Sequence, residues 1–259
     1  MSQELLLHFV GNQKNDVYSH LFIEENRKWN RVHFNETDYI SNTMLMIEVG
    51  SYDGSDSIRF HNMGYHVIAF EPKKDLYDAI VKRTESLPRY QVVNKAVSLV
   101  DGEIDFHLCA DGGASSILPF KSDDELNKHW TPQRHDIHYS GTSYKVQSTR
   151  LDTFLEKNGL TETSIDYLHV DAQGADLDVI KSLGQYVSRV KEGVLETCYS
   201  LDKAIYSGQN NDVDSVRLWL INNGFAITRI ESNDVTNCEC NVYFKRRPRY
   251  VWQKSVQIA

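Results

Sequence analysis

The chain has 259 residues, 41% hydrophobic, 11% aromatic and 25% charged, a make-up that fits a folded domain and excludes a disordered tail or a collagenous repeat. Its 28 Lys and Arg against 36 Asp and Glu leave a net charge of −8, so nucleic acid is not an expected partner: phosphate neutralisation needs clustered cations. Cys109, Cys198, Cys238 and Cys240 are too few and too scattered for a disulfide scaffold, and no apolar run approaches the roughly 20 residues of a membrane span; the expected setting is cytoplasmic.

Residues 1 to about 43 are polar, carry no motif and are expected to form an N-terminal preface to a single domain over 44–259. The apolar run Met44–Val49 closed by Gly50 predicts a buried parallel strand entering a tight turn, followed by a helix from Ser55 to Met63. His66–Phe70, ending in Glu71 and Pro72, reads as a second strand, Lys73–Ser86 as its crossover helix, and Tyr90–Val93 as a third strand. The alternation then continues with a strand at Glu103–Leu108, a helix at Leu151–Lys157, a strand at Ile165–Val170 ending in Asp171, a helix at Ala175–Leu183, a strand at Gly193–Thr197 and a helix at Val213–Asn223. Phe225–Ile230 and Asn241–Lys245 are strands joined too briefly for a crossover helix, which implies an antiparallel hairpin. Between about 110 and 144 no period is visible, and Gly112, Gly113, Thr131-Pro132 and Gly141 punctuate a segment long enough to be a lid-like insertion. The basic cluster Lys245-Arg246-Arg247 with Arg249 reads as a solvated strand exit, or else as a dock for an anion.

Gly50-Ser51-Tyr52-Asp53-Gly54 lies between a strand and a helix, and Glu71 ends the next strand 21 residues after Gly50. In a mononucleotide-binding βαβ unit the glycine admits a ligand close to the backbone, while the acid accepts hydrogen bonds from ribose hydroxyls. A plain tight turn and a solvated strand end are the competing readings. A pyrophosphate at this turn would be repelled by Asp53, and the G-x-G-x-x-G spacing is absent, so an NAD(P)-dependent oxidoreductase is the weaker alternative. A cofactor bearing an ammonium and a sulfonium, S-adenosyl-L-methionine, turns Glu48 and Asp53 into assets.

Met46–Gly54, Val67–Pro72, Asn94–Ser98, Thr149–Leu155, Ile165–Leu177 and Val194–Glu196 together resemble the FkbM-type S-adenosylmethionine-dependent methyltransferases, in the family's order over roughly residues 44 to 246. The resemblance implies a Rossmann-like class I methyltransferase fold: a mostly parallel seven-stranded sheet with an antiparallel last strand. It also implies O-methylation of a hydroxyl on a sugar, glycan or natural product. It assigns Glu71 and Pro72 to the ribose, Asn94 to Ala96 to the adenine, and Gly50, Ser51, Tyr52 and Gly54 to the methionine moiety. Two positions depart from the family: His169 stands where lysine is usual and Gln173 where glutamate is usual. Those departures motivate a further alternative, an inactive binding module on the same fold.

Transfer to an aliphatic hydroxyl needs a base or a metal. Asp171 is the first candidate for the base or the metal-binding group, bordering the cofactor as well, with a cap on the Ala175 helix as the competing reading; Glu196 is the second, and His169 shares a strand face with Asp171 and so is a candidate proton relay. A divalent metal has no ligand set to support it: His129, His135 and His138 lack metal spacing. Ser116 offers a hydroxyl to cofactor or acceptor, and Trp130, Tyr139 and Tyr144 suit stacking on a sugar ring. Gly50→Arg or Asp53→Lys is expected to abolish cofactor binding in a protein that still folds. The oligomeric state stays open.

Overall fold

The computed structural model describes residues 44–110, 113–130, 137–233 and 238–248. Residues 1–43, Gly112, Thr131-Pro132, His135 and Arg249 lie outside this set, so the expected preface and part of the expected lid do too.

The main sheet contains β1 (Leu45–Val49), β2 (His66–Phe70), β3 (Tyr90–Val93), β7 (Ile165–Val170), β8 (Val190–Cys198), β9 (Phe225–Ser232) and β10 (Glu239–Arg246), in the order β3-β2-β1-β7-β8-β10-β9. Every pair from β3 across to β8 is parallel, and β10 runs antiparallel to both β8 and β9. A Rossmann-like sheet with an antiparallel last strand is therefore present. β1 is buried along its whole length because alternate side chains feed two cores. Leu45, Ile47 and Val49 pack with Phe154, Leu155, Ile180 and Leu220 from α4 (Leu151–Lys157), α5 (Asp176–Lys181) and α6 (Val213–Asn222). Met46 packs with Val67, Ala69 and, from α1 (Ser55–Asn62), Phe60. The crossover from β2 to β3 is α2 (Lys74–Thr84).

Two expectations need correction. The strand near Glu103 does not extend the main sheet; as β5 (Gly102–Cys109) it belongs to a separate three-stranded sheet with β4 (Ala96–Val97) and β6 (Tyr139–Thr149). β6 pairs antiparallel with β5 and takes up the end of the segment expected to be an irregular insertion. Phe106, Val146 and Ala96 give the small sheet its own core, with Ile104, Ile117 and Tyr144 packed around it. Within the insertion, a short α3 (Asp123–Leu126) is closed by a Ser122–Glu125 capping box, and Leu126 and Trp130 form a satellite core with Ile205, Tyr206 and Cys238.

The block Thr149–Phe154, part of the family resemblance, serves the fold. Arg150 pairs with Asp152 at 2.5 Å and donates to the Leu99 carbonyl, while Asp101 accepts from the Thr149 and Thr153 hydroxyls and the Arg150 N–H. These bonds tie the small sheet to α4.

The basic cluster at the end of β10 also works structurally. Lys245 pairs with Glu192 at 3.2 Å. Arg246 lies 4.1 Å over the Phe225 ring and donates to the carbonyls of Val190, Asn223 and Val187, so it closes the end of the sheet instead of docking an anion. Arg246→Ala is expected to cost about 2–3 kcal/mol, the range for losing hydrogen bonds made by a charged group. Urea unfolding measures it; a variant within 0.5 kcal/mol of the parent, well under that range, would show that the guanidinium is dispensable.

Candidate active site

The strand order reverses between β1 and β7, which places a crevice beyond their carboxyl ends. A cleft of about 260 Å³ opens there, floored by the Gly50 turn and walled on one side by Ala96, Val97 and Phe106 of the small sheet.

The turn is set by packing. Gly50 has φ +84, and a Cβ on it would sit 1.8 Å from the Asp171 carbonyl oxygen. Its N–H and that of Ser51 both reach the Phe70 carbonyl, at 3.0 and 3.1 Å, and the Gly54 N–H closes onto Ser51 O at 2.7 Å. The turn thus wraps the tip of β2 and abuts the tip of β7 at once. Tyr52, in a left-handed conformation at φ 50, is exposed on the cleft lip.

Glu71, buried at the end of β2, accepts from the Tyr52 N–H at 2.9 Å and the Lys73 N–H at 2.8 Å. Burial pushes its pKa up to about 7 in spite of those two donors. Asp53 stands more open: burial opposes its ionisation, but hydrogen bonds from Ser55 and the charge of Arg83, 3.6 Å away, together outweigh it and lower the pKa. Glu48 is 2% exposed; its Oε1 lies 3.5 Å from His169 Nδ1, and its Oε2 is buried with no hydrogen-bond partner among the described residues. Burial works against protonation of His169, yet the hydrogen bond and charge of Glu48, together with Asp171 and Asp56, prevail and raise its pKa. Ligand atoms of Glu48, Asp56 and His169 lie within 4.8 Å of one another, the one grouping among the described residues with the donors to hold a cation.

On the opposite side, Asp171 follows β7 and lines the cleft. It does not cap the following helix. Asp176, the first residue of that helix and fully buried, reaches back to accept from the Ala172 N–H at 2.7 Å and the Gly174 N–H at 3.0 Å, and so fixes the turn after β7. Burial and the charge of Asp171 push Asp176 up to about 8. Because the fold raises Glu71 and Asp176, each favours the native state fully only below its ordinary carboxylate range, and that contribution is lost as pH climbs through about 7 and about 8 respectively.

Most residues expected at the site do meet here: Glu48, Gly50, Ser51, Tyr52, Asp53, Glu71, Pro72, Ala96, Ser116, His169 and Asp171 all line the cleft. Three do not. Gly54 sits below the turn against Ile80, Asn94 spends its amide on the carbonyls of Glu71 and Pro72, and Glu196 lies behind Gln173. Trp130, Tyr139 and Tyr144 are absent from the lining as well: Trp130 is buried and donates to Lys203 O, Tyr139 stacks on Phe120, and Tyr144 packs on Phe106. His129 faces Asp202 at 3.7 Å. Sequence reading missed Asp56 and Asp176, whose only signal is an acid in a first helical turn, and it singled out Gln173 as a departure from the family without the partners its side chain finds.

An open α/β sheet with a glycine turn, an acid ending β2 and a cleft at the switch point defines a nucleotide-type cofactor domain. The methyltransferase FkbM domain profile matches residues 48–227, and the chain belongs to this family. Among solved structures it is similar to an rRNA methylase from Streptococcus thermophilus (10% identity, 92% of this chain and 100% of that one, TM-score 0.44). It is also similar to magnesium protoporphyrin IX methyltransferase from Synechocystis with bound S-adenosylmethionine (11% identity, 92% and 87% covered, TM-score 0.43). A search of curated proteins gave no match. Among the described residues no helix is long and apolar enough to cross a membrane.

The contact at Gly50 overturns one expectation. Gly50→Arg cannot leave the fold intact, and Gly50→Ala alone is expected to cost about 2–5 kcal/mol from left-handed strain and backbone overlap. Urea unfolding reads this directly; near-parental stability would mean that β1 and β7 can separate at their tips. Asp53→Lys, on an exposed side chain, is the substitution that probes the cleft in a folded protein.

Proposed function

We propose that the chain transfers a methyl group from S-adenosyl-L-methionine to a hydroxyl oxygen of a sugar, glycan or natural-product acceptor. The observation that carries the cofactor is the gathering of Glu48, Asp53, Asp56, Glu71 and Asp171 around one cleft in a protein of a methyltransferase family. Such a cleft suits a cation and repels a pyrophosphate. The partnerless Oε2 of Glu48 is the fit test at atomic scale: a buried carboxylate oxygen without a donor is costly, and a cationic group supplies one.

Glu71 is assigned to the ribose hydroxyls, with Pro72 beside it, and the Gly50–Tyr52 backbone to the methionine moiety. Ala96, Val97 and Lys95 border the base. Bound there, the cofactor supplies an electrophilic methyl carbon on sulfonium sulfur. Asp171, at the edge of the same cleft, would accept the proton that the acceptor hydroxyl gives up on methylation. His169 is committed to Glu48, which makes it an orienting partner of that acid more than a proton relay. Glu196 does not reach the cleft, and burial with the charges of Asp171, Glu239 and Asp176 holds its carboxyl well above the usual range, so it serves Asp171 from behind. The segment 113–120 closes over this side of the cleft through Gly113, Ser115, Ser116 and Ile117, the part of the insertion to which we assign a lid role.

Ribose hydroxyls donate to a carboxylate, so Glu71 must ionise to bind. With its pKa at about 7, affinity for S-adenosylhomocysteine is expected to rise about tenfold between pH 6 and 8, with proton release. Calorimetry in buffers of differing ionisation enthalpy measures both; Glu71→Gln should bind more weakly and lose most of the slope. A pH-independent affinity would remove Glu71 from the ribose, and no stabilisation by S-adenosylhomocysteine in a thermal shift run beside NAD would remove the cofactor itself.

A further inference from the structure

Gln173 occupies an unusual backbone position: its φ is +51, followed by Gly174 at φ +85. A non-glycine residue in that region costs about 1–2 kcal/mol and persists where its surroundings over-determine it. Here they do so on every polar atom of the side chain. Gln173 Nε2 donates to Asp171 Oδ1 at 2.6 Å and to Glu196 Oε2 at 3.0 Å, and Oε1 lies 2.7 Å from the Tyr206 hydroxyl. The main-chain carbonyl of Gln173 accepts from Ser116 Oγ at 2.7 Å. The opposite amide orientation would set a carbonyl oxygen 2.6 Å from a carboxylate oxygen, so the donor end must face the acids.

Tyr206 holds the other end of that amide. It is 1% exposed, it is part of the satellite core with Trp130 and Leu126, and it does not line the cleft. Its single hydroxyl proton has two acceptors, Gln173 Oε1 and the Ala114 carbonyl at 2.6 Å. Glu196 is braced from its other oxygen by Asn233 Nδ2, whose own Oδ1 accepts from Asn241 at 2.6 Å.

We infer that Tyr206 is a positioning residue for methyl transfer: by gripping the Gln173 amide it fixes the donors that aim Asp171 at the acceptor and hold Glu196 behind it. The inference rests on the role proposed for Asp171. It adds that the same phenol joins the base to the 113–120 segment through Ala114, so seating that segment and orienting the base are one event.

The test needs no acceptor. Carbon-13 titration of the side-chain carboxyls, with Asp171 assigned by its disappearance in Asp171→Asn, reads the protonation of the Asp171–Glu196 pair directly. In Tyr206→Phe the lower midpoint of the pair is expected to rise by about one unit, because a carboxylate that loses an aligned N–H donor holds its proton more tightly. Gln173→Met, which keeps Tyr206 and removes the amide, should give the same rise, and stands as the test if Tyr206→Phe does not fold. Affinity for S-adenosylhomocysteine should stay within about twofold in both. Unchanged midpoints in a folded variant would overturn the positioning role. Failure of the parent to bind S-adenosylhomocysteine would instead sink the cofactor reading and leave the titration result standing.

Discussion

Val49 and Asp171 leave adjacent parallel strands side by side, and the missing side chain of Gly50 lets the turn after β1 press against the Asp171 carbonyl. A single carbon atom at that point would push apart the two tips between which the cleft opens. The Gly50–Gly54 turn can therefore present its N–H groups to the Phe70 carbonyl and the Glu71 carboxylate while keeping Asp171 within reach of the same space. Glu71 and Asp171, to which we assign the ribose and the acceptor, are brought to one cleft by that backbone contact. Neither is placed by its own side-chain packing.

That economy creates an electrostatic problem. Glu48, Glu71, Asp171, Asp176 and Glu196 converge toward the ends of four strands, β1, β2, β7 and β8, and Glu48, Glu71, Asp176 and Glu196 are buried. The chain answers with donors more than with counter-charges: main-chain N–H groups for Glu71 and Asp176, side-chain amides for Asp171 and Glu196, and an imidazole for Glu48. Amides stabilise a carboxylate without adding a cation that would repel a sulfonium. Raised pKa values at Glu71, Asp176 and Glu196 show that the compensation is incomplete, which leaves the site able to gain from a bound cation.

How far the sequence exposed this depends on which force fixed each part. The parallel strands were legible because burial on both faces writes itself as an apolar run, as in Leu45–Val49, and a glycine or an acid marks each tip. β6 was not, because its first half is exposed and polar, so no alternation betrays a strand that is held by hydrogen bonds to β5. Glu71 and Asp171 were legible as acids ending strands. Asn94 and Glu196 also lie near strand tips yet point their polar atoms elsewhere, one onto two carbonyls and the other onto amides behind the cleft, and only the folded arrangement separates those cases. Tyr206 had no signal at all: it is an aromatic in a connection, and its meaning comes from a residue 33 positions earlier.

The identity of residue 173 follows from the same charge arithmetic. Asp171, Asp176 and Glu196 already crowd the end of β7 and β8, and an ionised carboxylate at 173 would add a fourth acid between two of them with no N–H to offer either. An amide of the same length supplies two N–H groups and keeps an oxygen for Tyr206. The two ends of the amide thus have complementary partners: the acids take its N–H groups, and the Tyr206 hydroxyl takes its oxygen. The left-handed backbone at Gln173 is the strain the chain accepts to bring that amide between Asp171 and Glu196.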